Sequence, residues 1–322
     1  KYFIGKFLIF FEDSENIRYT KDTVFWNNNL FLQIIAKIIL YVLKLRLIHI
    51  ILYFLLLLFG GFIMDFVNNQ YRTVKLLKED KHGSEYLVQD LYKDNMLKMM
   101  RVIYNTSENK DFIDYMKVNY FDYQNLIYPG ISEFYAFNRI REVNAKPVLS
   151  NMFYYTTEHY EGQNLFRYIK GKDFDELLDI AGQICAAFKY IHLRGMLFCN
   201  INSDQITISE TKDGKQAKIS ALAYKTPIQE SILLDASNLY FKAPEVIQYS
   251  KYTKKSDIYM LGAILFHLFT DTAIEGSSFK EHLNKTQYQK GSKLDSIIKI
   301  VKKCTSPDMA ERYNSIDEII DD

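Results

Sequence analysis

From Tyr71 onward the sequence reads as strands first and helices later, and this order constrains the fold more than any single residue does. Tyr71 to Leu77 is a short alternating run, and Glu85 to Val88 and Leu97 to Ile103 predict further strands. Lys110 to Tyr120 predicts a helix, and Tyr128-Pro129-Gly130 breaks the chain. Met152 to His159, aromatic and β-branched, predicts a strand that ends at a Glu161-Gly162 turn. Asp175 to His192 predicts a long helix: Leu177, Ile180, Ile184, Ala187 and Ile191 recur at three and four, and Gly195 stands just past the end. Ile206 to Ser209 and Ala217 to Ile219 predict two strands around a Lys212-Asp213-Gly214 turn. Asp257 to Thr270 is a strongly apolar helix, followed by helices over Asp295 to Lys303 and Ser315 to Ile320. The expectation is an α+β fold: a β-rich lobe over residues 70–160 and an α-helical lobe over residues 161–322.

Residues 1–64 have a different character. All five prolines and all nine methionines lie at or after Met64. From Leu47 to Met64 there is no Asp, Glu, Lys or Arg, and such a run at ~1.5 Å per residue nearly spans a ~30 Å hydrocarbon core. Residues 47–64 are therefore a candidate transmembrane helix. Leu30 to Arg46, with Lys37, Lys44 and Arg46, reads as a basic amphipathic helix along a membrane surface. Lys37, Lys44 and Arg46 on one side and Arg72, Lys75 and Lys78 on the other leave the orientation nearly tied. A second reading stays open. The chain starts at Lys1, has no methionine before Met64, and Gly60-Gly61 fits a ribosome-binding sequence just upstream of a start codon, so that 1–63 would be an untranslated leader. The first reading implies a membrane-anchored protein whose domain 65–322 is cytoplasmic; the second implies a cytoplasmic protein beginning at Met64.

A net charge of +1 implies no polyanionic partner, and nucleic acid is not expected. Three widely spaced cysteines, Cys185, Cys199 and Cys304, form neither a metal pattern nor a disulfide framework, and fit a reducing compartment.

The segment Tyr190 to Ile208 carries the strongest signal. A helix end is followed by Phe198-Cys199-Asn200, then Gln205 and a strand. Lys218-Ile219-Ser220 leads into Ala221-Leu222-Ala223, and Ala243-Pro244-Glu245, Ser256-Asp257-Ile258-Tyr259-Met260-Leu261-Gly262 and Arg312 follow in order. This series resembles the eukaryotic-like protein kinase family, in its bacterial Ser/Thr form. The resemblance implies the two-lobed protein kinase fold, a buried ion pair between Glu245 and Arg312, and an Asp257 that caps backbone near the catalytic loop. In the first lobe, Leu77 to Tyr86 resembles the glycine-rich loop with only Gly83 kept, and Lys78 and Asp80 at the other two glycine positions. Arg101 falls where the ATP-binding lysine belongs, with Lys98 the second candidate, and Asn119 stands for that lysine's glutamate partner.

The frame is kept while its chemistry is altered. Asn200 stands at the base position, where a neutral amide cannot take the substrate proton. Ala221 stands at the magnesium-ligating carboxylate and has no ligand atom. Gln205 replaces the metal-binding asparagine with a stem one methylene longer. The resemblance thus implies a degenerate member, a pseudokinase with a regulatory, sensing or scaffolding role and a protein partner, with ATP binding without magnesium left open. The alternatives are an atypical, weakly active ATP-dependent kinase, with Asp204 or Glu210 as displaced base, and a membrane-tethered interaction domain that binds no nucleotide. No metal site is expected. Cys199 reads as apolar filler, His192 as a structural helix end, and Thr226, Ser231, Ser237 and Tyr240 as solvated loop.

Overall fold

The structure is a computed structural model that describes residues 66–148, 151–201, 205–212, 214–234, 241–271 and 291–322. All of them fall within one compact unit, Met64–Asp322. Its first part is a sheet: β1 (Phe66–Val67), β2 (Tyr71–Asp80), β3 (Gly83–Asp90) and β4 (Met96–Ile103) are followed by helix α1 (Lys110–Gln124), then β5 (Phe134–Arg139), β6 (Glu142–Val143), β7 (Lys146–Pro147) and β8 (Phe153–Glu158). The strands form one sheet in the order β5-β8-β4-β3-β2-β1-β6-β7. β9 (Gln163–Asn164) and the single turn α2 (Leu165–Tyr168) lead to α3 (Phe174–Leu193), β10 (Met196–Leu197), β11 (Ile206–Thr211), β12 (Gly214–Ile219) and β13 (Tyr224–Lys225). Among the described residues the second part continues with α4 (Pro244–Tyr249), α5 (Lys254–Thr270), α6 (Lys293–Cys304) and α7 (Ile316–Asp321).

Period-two patterning gives the sheet two dissimilar faces. Val67, Tyr71, Val88, Met100, Val102, Ile140 and Tyr154 bury one face as a small core of their own. Ile103, Phe134 and Phe137 turn to the other side, where α1 brings Phe112, Ile113 and Met116 into the main core. In α3, Asp173 caps the first turn by accepting from the Glu176 N–H at 2.8 Å. α5 begins with a reciprocal cap between Thr253 and Ser256 and is buried from Ser256 to Leu268. A helix that is apolar around its whole circumference belongs in the middle of a fold. α6 crosses it so closely that a Cβ on Gly262 would lie 2.3 Å from the Cβ of Cys304. Gly262 is therefore what allows those two helices to touch.

β5 escaped the sequence reading because a register shift between Phe134 and Ala136 breaks its alternation against β8. The membrane location expected above is corrected: among the described residues no helix is long and apolar enough to cross a membrane. Helix α5, buried from Ser256 to Leu268, has 17 residues and is enclosed by protein. Residues 47–64, on which the anchor rested, and the hydrophobic segment 1–64 as a whole lie outside the described residues.

Candidate functional site

The loop after β10 is shaped from within by α5. Leu197 pairs with Tyr224 of β13, and the chain then turns through Cys199 at φ 60°. A left-handed non-glycine residue is costly and persists only where its surroundings dictate it. Asp257, in the first turn of α5, supplies that constraint. Its Oδ2 accepts from the Phe198 N–H at 2.9 Å and its Oδ1 from the Cys199 N–H at 3.0 Å. His192 Nε2 lies 3.1 Å from the same Oδ2, holding the carboxylate from behind. Phe198 is fully buried, its ring 4.8 Å from that of Phe188. The Ile201 N–H points to the Met260 sulfur at 3.4 Å. Asn200 stands on this loop with its own N–H donating to the Phe198 carbonyl at 2.6 Å.

Ala221 lies just past β12, after Ser220. The Ser220 N–H donates to the Gln205 carbonyl at 2.8 Å, which sets Ala221 and Gln205 beside one another at the mouths of β12 and β11. Ala221 is 6% exposed and lines a cavity of about 20 Å³ together with Tyr123, Leu126, Phe134, Thr157 and Ile191. That lining is mostly apolar, with Ser132 and Ser220 at its edge, and among the described residues no group of three His, Cys, Asp or Glu side chains is arranged to hold a metal ion. Asp204 lies outside the described residues, and Glu210 is exposed on β11, where it pairs with Lys215.

The β2–β3 hairpin carries the remaining positions that resemble the glycine-rich loop. Its tip is the two-residue turn Lys81-His82, and a Cβ on Gly83 would meet the Val102 carbonyl oxygen at 1.8 Å. Gly83 is thus required by strand packing. Asp80 Oδ1 accepts from the His82 N–H at 2.9 Å, from the Gly83 N–H at 3.1 Å and from Arg101 Nη2 at 2.6 Å. Burial alone would raise the Asp80 carboxyl. The Arg101 hydrogen bond and charge, with the two backbone N–H groups, outweigh it and hold the carboxyl below its ordinary value. The tip is also tied down at its base, since the His82 carbonyl accepts from the Tyr104 N–H at 3.0 Å and from Asn109 Nδ2 at 2.8 Å. Tyr104 in turn donates to Glu79 Oε1 at 2.7 Å.

Arg101 and Lys98 project from opposite faces of β4, being three residues apart. Lys98 is buried, donates to Asp90 Oδ2 at 2.6 Å and lies over the Tyr135 ring at 4.3 Å. The structure does not bring it to Arg101. Asn119 donates back to the Tyr115 carbonyl of its own helix at 2.8 Å. At the far end of β8, Glu158 takes both hydrogen bonds of Lys218 Nζ, each 2.7 Å, while the ammonium rests 4.5 Å from the Tyr160 ring centre.

Away from these positions, Arg312 and Glu245 form a two-pronged pair, Nη1 to Oε1 at 2.7 Å and Nη2 to Oε2 at 2.8 Å. Arg312 also donates to the Ser306 carbonyl at 2.7 Å and the Lys255 carbonyl at 2.9 Å. All three cysteines are buried and unbonded to sulfur. Burial pushes the Cys185 thiol up to about 12, and raises that of Cys199 well above its usual value, with the Asp257 charge adding to it. The Asp80–Arg101 pair and the Glu158–Lys218 pair were missed by sequence reasoning. The parity of β4 signals that only one of Lys98 and Arg101 can share a face with the hairpin tip.

The protein kinase domain profile matches residues 123–322. The chain is 33% identical over 125 residues to serine/threonine-protein kinase Nek1 of Mus musculus, which is 36% of this chain and 10% of that protein. It is 21% identical over 269 residues to serine/threonine-protein kinase PrkC of Bacillus subtilis, which is 79% of this chain and 40% of that protein. The chain thus spans less than half the length of either relative. Its fold is similar to the crystal structure of the Mycobacterium tuberculosis PknI kinase domain, with a TM-score of 0.57 and 17% identity, covering 78% of this chain and 93% of that one.

Proposed function

The chain belongs to the protein kinase domain family, and on that premise we propose that it is a catalytically impaired member, acting as a regulatory, sensing or scaffolding module in signalling. One observation carries the reading: Asp80 engages the Arg101 guanidinium and the hairpin N–H groups, the donors that a nucleotide's phosphates would need. Phosphoryl transfer is chiefly positioning and charge neutralisation around magnesium–ATP. The residues present do not fit that group. Asn200 offers a neutral amide in place of a proton acceptor. Ala221 offers no ligand atom and lines a mostly apolar cavity without a carboxylate. Gln205 would hold its oxygen about 1 Å from the required place, an error that costs on the order of 100-fold. Asp80 adds negative charge facing the phosphates. What remains is a firmly packed frame suited to a protein partner.

The test is a thermal-shift titration of the full chain with ATP, with and without magnesium, alongside a label-transfer assay. A bound nucleotide at ~100 times its dissociation constant adds ~2.7 kcal/mol, which a melting curve resolves. No shift supports an interaction module. A shift independent of magnesium supports a nucleotide-sensing one. Magnesium-dependent binding with label transferred to protein would overturn the impaired reading.

A further inference from the structure

The sheet of the first part returns on itself. β5 opens the strand order and β6 stands near its other end, yet only Ile140 and Arg141 separate the two in the chain. The Ile140 N–H donates to the Met152 carbonyl at 2.9 Å, which carries the pairing of β5 with β8 as far as this corner. Just beyond it, Val143 of β6 pairs with Val67 of β1. The strands therefore close a small barrel. Its filling is the separate core of Val67, Tyr71, Tyr86, Val88, Met100, Val102, Ile140 and Tyr154.

The closure is thin. β1 is two residues long and pairs only with Tyr71 and Arg72 of β2 on one side and Val143 of β6 on the other. Two asparagine side chains supply what so short a ladder lacks. Asn68, at φ 52°, accepts on Oδ1 from the Arg141 N–H at 2.8 Å and the Glu142 N–H at 3.3 Å, and donates from Nδ2 to the Arg139 carbonyl at 3.0 Å. Asn144, at φ 51°, accepts on Oδ1 from the Phe66 N–H at 2.9 Å, while its own N–H donates to the Phe66 carbonyl at 3.0 Å. Asparagine suits both places, because it tolerates the left-handed backbone and its amide both donates and accepts. We propose that β1 is a releasable stave: a conformational device that opens and closes the barrel locally while the rest of the fold stays intact. Of its two residues only Val67 enters the core, and the Asn68 and Asn144 side-chain bonds lie at exposed or half-buried positions. A segment held by few buried contacts and by exposed hydrogen bonds opens well below the cost of global unfolding. The main core holds none of the residues that fill the barrel, so the helical part does not rest on Val67.

This inference is independent of the catalytically impaired reading. Its test is hydrogen exchange read by mass spectrometry on the full chain, in the native protein, Asn68→Gly, Asn68→Asp and the double variant Val67→Cys/Val143→Cys. Glycine keeps the left-handed turn and removes only the side-chain bonds. Exchange in peptides covering 66–72 and 139–147 should quicken by ~10-fold or more, about the worth of the lost hydrogen bonds, with peptides from β4, α3 and α5 unchanged. Asn68→Asp keeps the acceptor and loses the donor, so it should fall between glycine and the native residue. Val67 and Val143 face each other between two ladder bonds, Asn68 N–H to the Glu142 carbonyl and Asn144 N–H to the Phe66 carbonyl, each 3.0 Å. Side chains of such a pair lie close enough for two cysteines to bridge. The oxidised double variant should exchange ~10-fold or more slowly in the same peptides than its reduced form. If Asn68→Gly fails to fold, the oxidised and reduced forms of the double variant decide alone. Quickening spread evenly through β4, α3 and α5, no quickening near β1 and β6, or a bridge that leaves exchange there unchanged would each overturn the proposal.

Discussion

Replacing Arg312 by methionine should cost this fold more than almost any other single change. The side chain is completely buried and makes four hydrogen bonds: two to Glu245, one to the Ser306 carbonyl and one to the Lys255 carbonyl. Methionine fills much of the volume but strands the Glu245 carboxylate, itself only 7% exposed, without a counter-charge. Leaving one partner of a buried ion pair in place typically costs ~3–5 kcal/mol. For a domain of this size each kcal/mol moves Tm by ~2–4 °C, so the expected drop is roughly 6–20 °C. Glu245→Gln should show a loss of the same kind, because the guanidinium then keeps only carbonyl partners. The double variant Arg312→Met/Glu245→Met should be less damaged than the two single losses summed, by roughly 2 kcal/mol or more, since it leaves no charge buried. Differential scanning calorimetry on the four proteins reads all of this. A single loss below about 1 kcal/mol, the level of a surface pair, would refute the reasoning, as would strict additivity in the cycle.

Two further outcomes follow from the packing. Gly262→Ala should lower Tm by several degrees, because its methyl would meet the Cys304 Cβ and force α5 and α6 apart; overpacking costs ~1–3 kcal/mol, and an unchanged melting curve would contradict the close approach. Lys98→Met should destabilise at neutral pH, and the deficit should shrink on acidification. Burial raises the Asp90 carboxyl, but hydrogen bonds from Lys98, Gln70 and the Tyr92 N–H, with the Lys98 charge, bring it below the usual 3.8. Its stabilisation is thus present above that value and lost as pH falls through the lowered one. In the variant the unpaired carboxyl protonates at higher pH, so melting curves at pH 7, 5 and 4 should converge; a constant difference would count against the pair.

The large elements were legible because their signals are local. Asp175 to His192 carries its own apolar stripe and stop signal, and Asp173 adds a cap. The spacing of Ala243-Pro244-Glu245 to Arg312 carried the ion pair through resemblance, although the two residues are 67 positions apart. What could not be read depends on register. β1, β6, β7, β9, β10 and β13 are two residues long, too short for any period to show. The choice between Lys98 and Arg101 turns on which face of β4 meets the hairpin, and only the pairing of Glu85 with Arg101 decides it. Asp80 was legible as a carboxylate at a glycine position of the loop, but its capture of two N–H groups and a guanidinium follows from the two-residue tip, which a sequence does not print.

The clasp between Glu158 and Lys218 has a mechanical corollary. Lys218 spans from the strand that precedes Ala221 to the last residue of β8, with one ammonium serving both carboxylate oxygens. Pivoting between the sheet and the helical part would work against this clasp and against the neighbouring Ile131–Ile219 bridge, so the crossing behaves less as a free joint than as a pinned one.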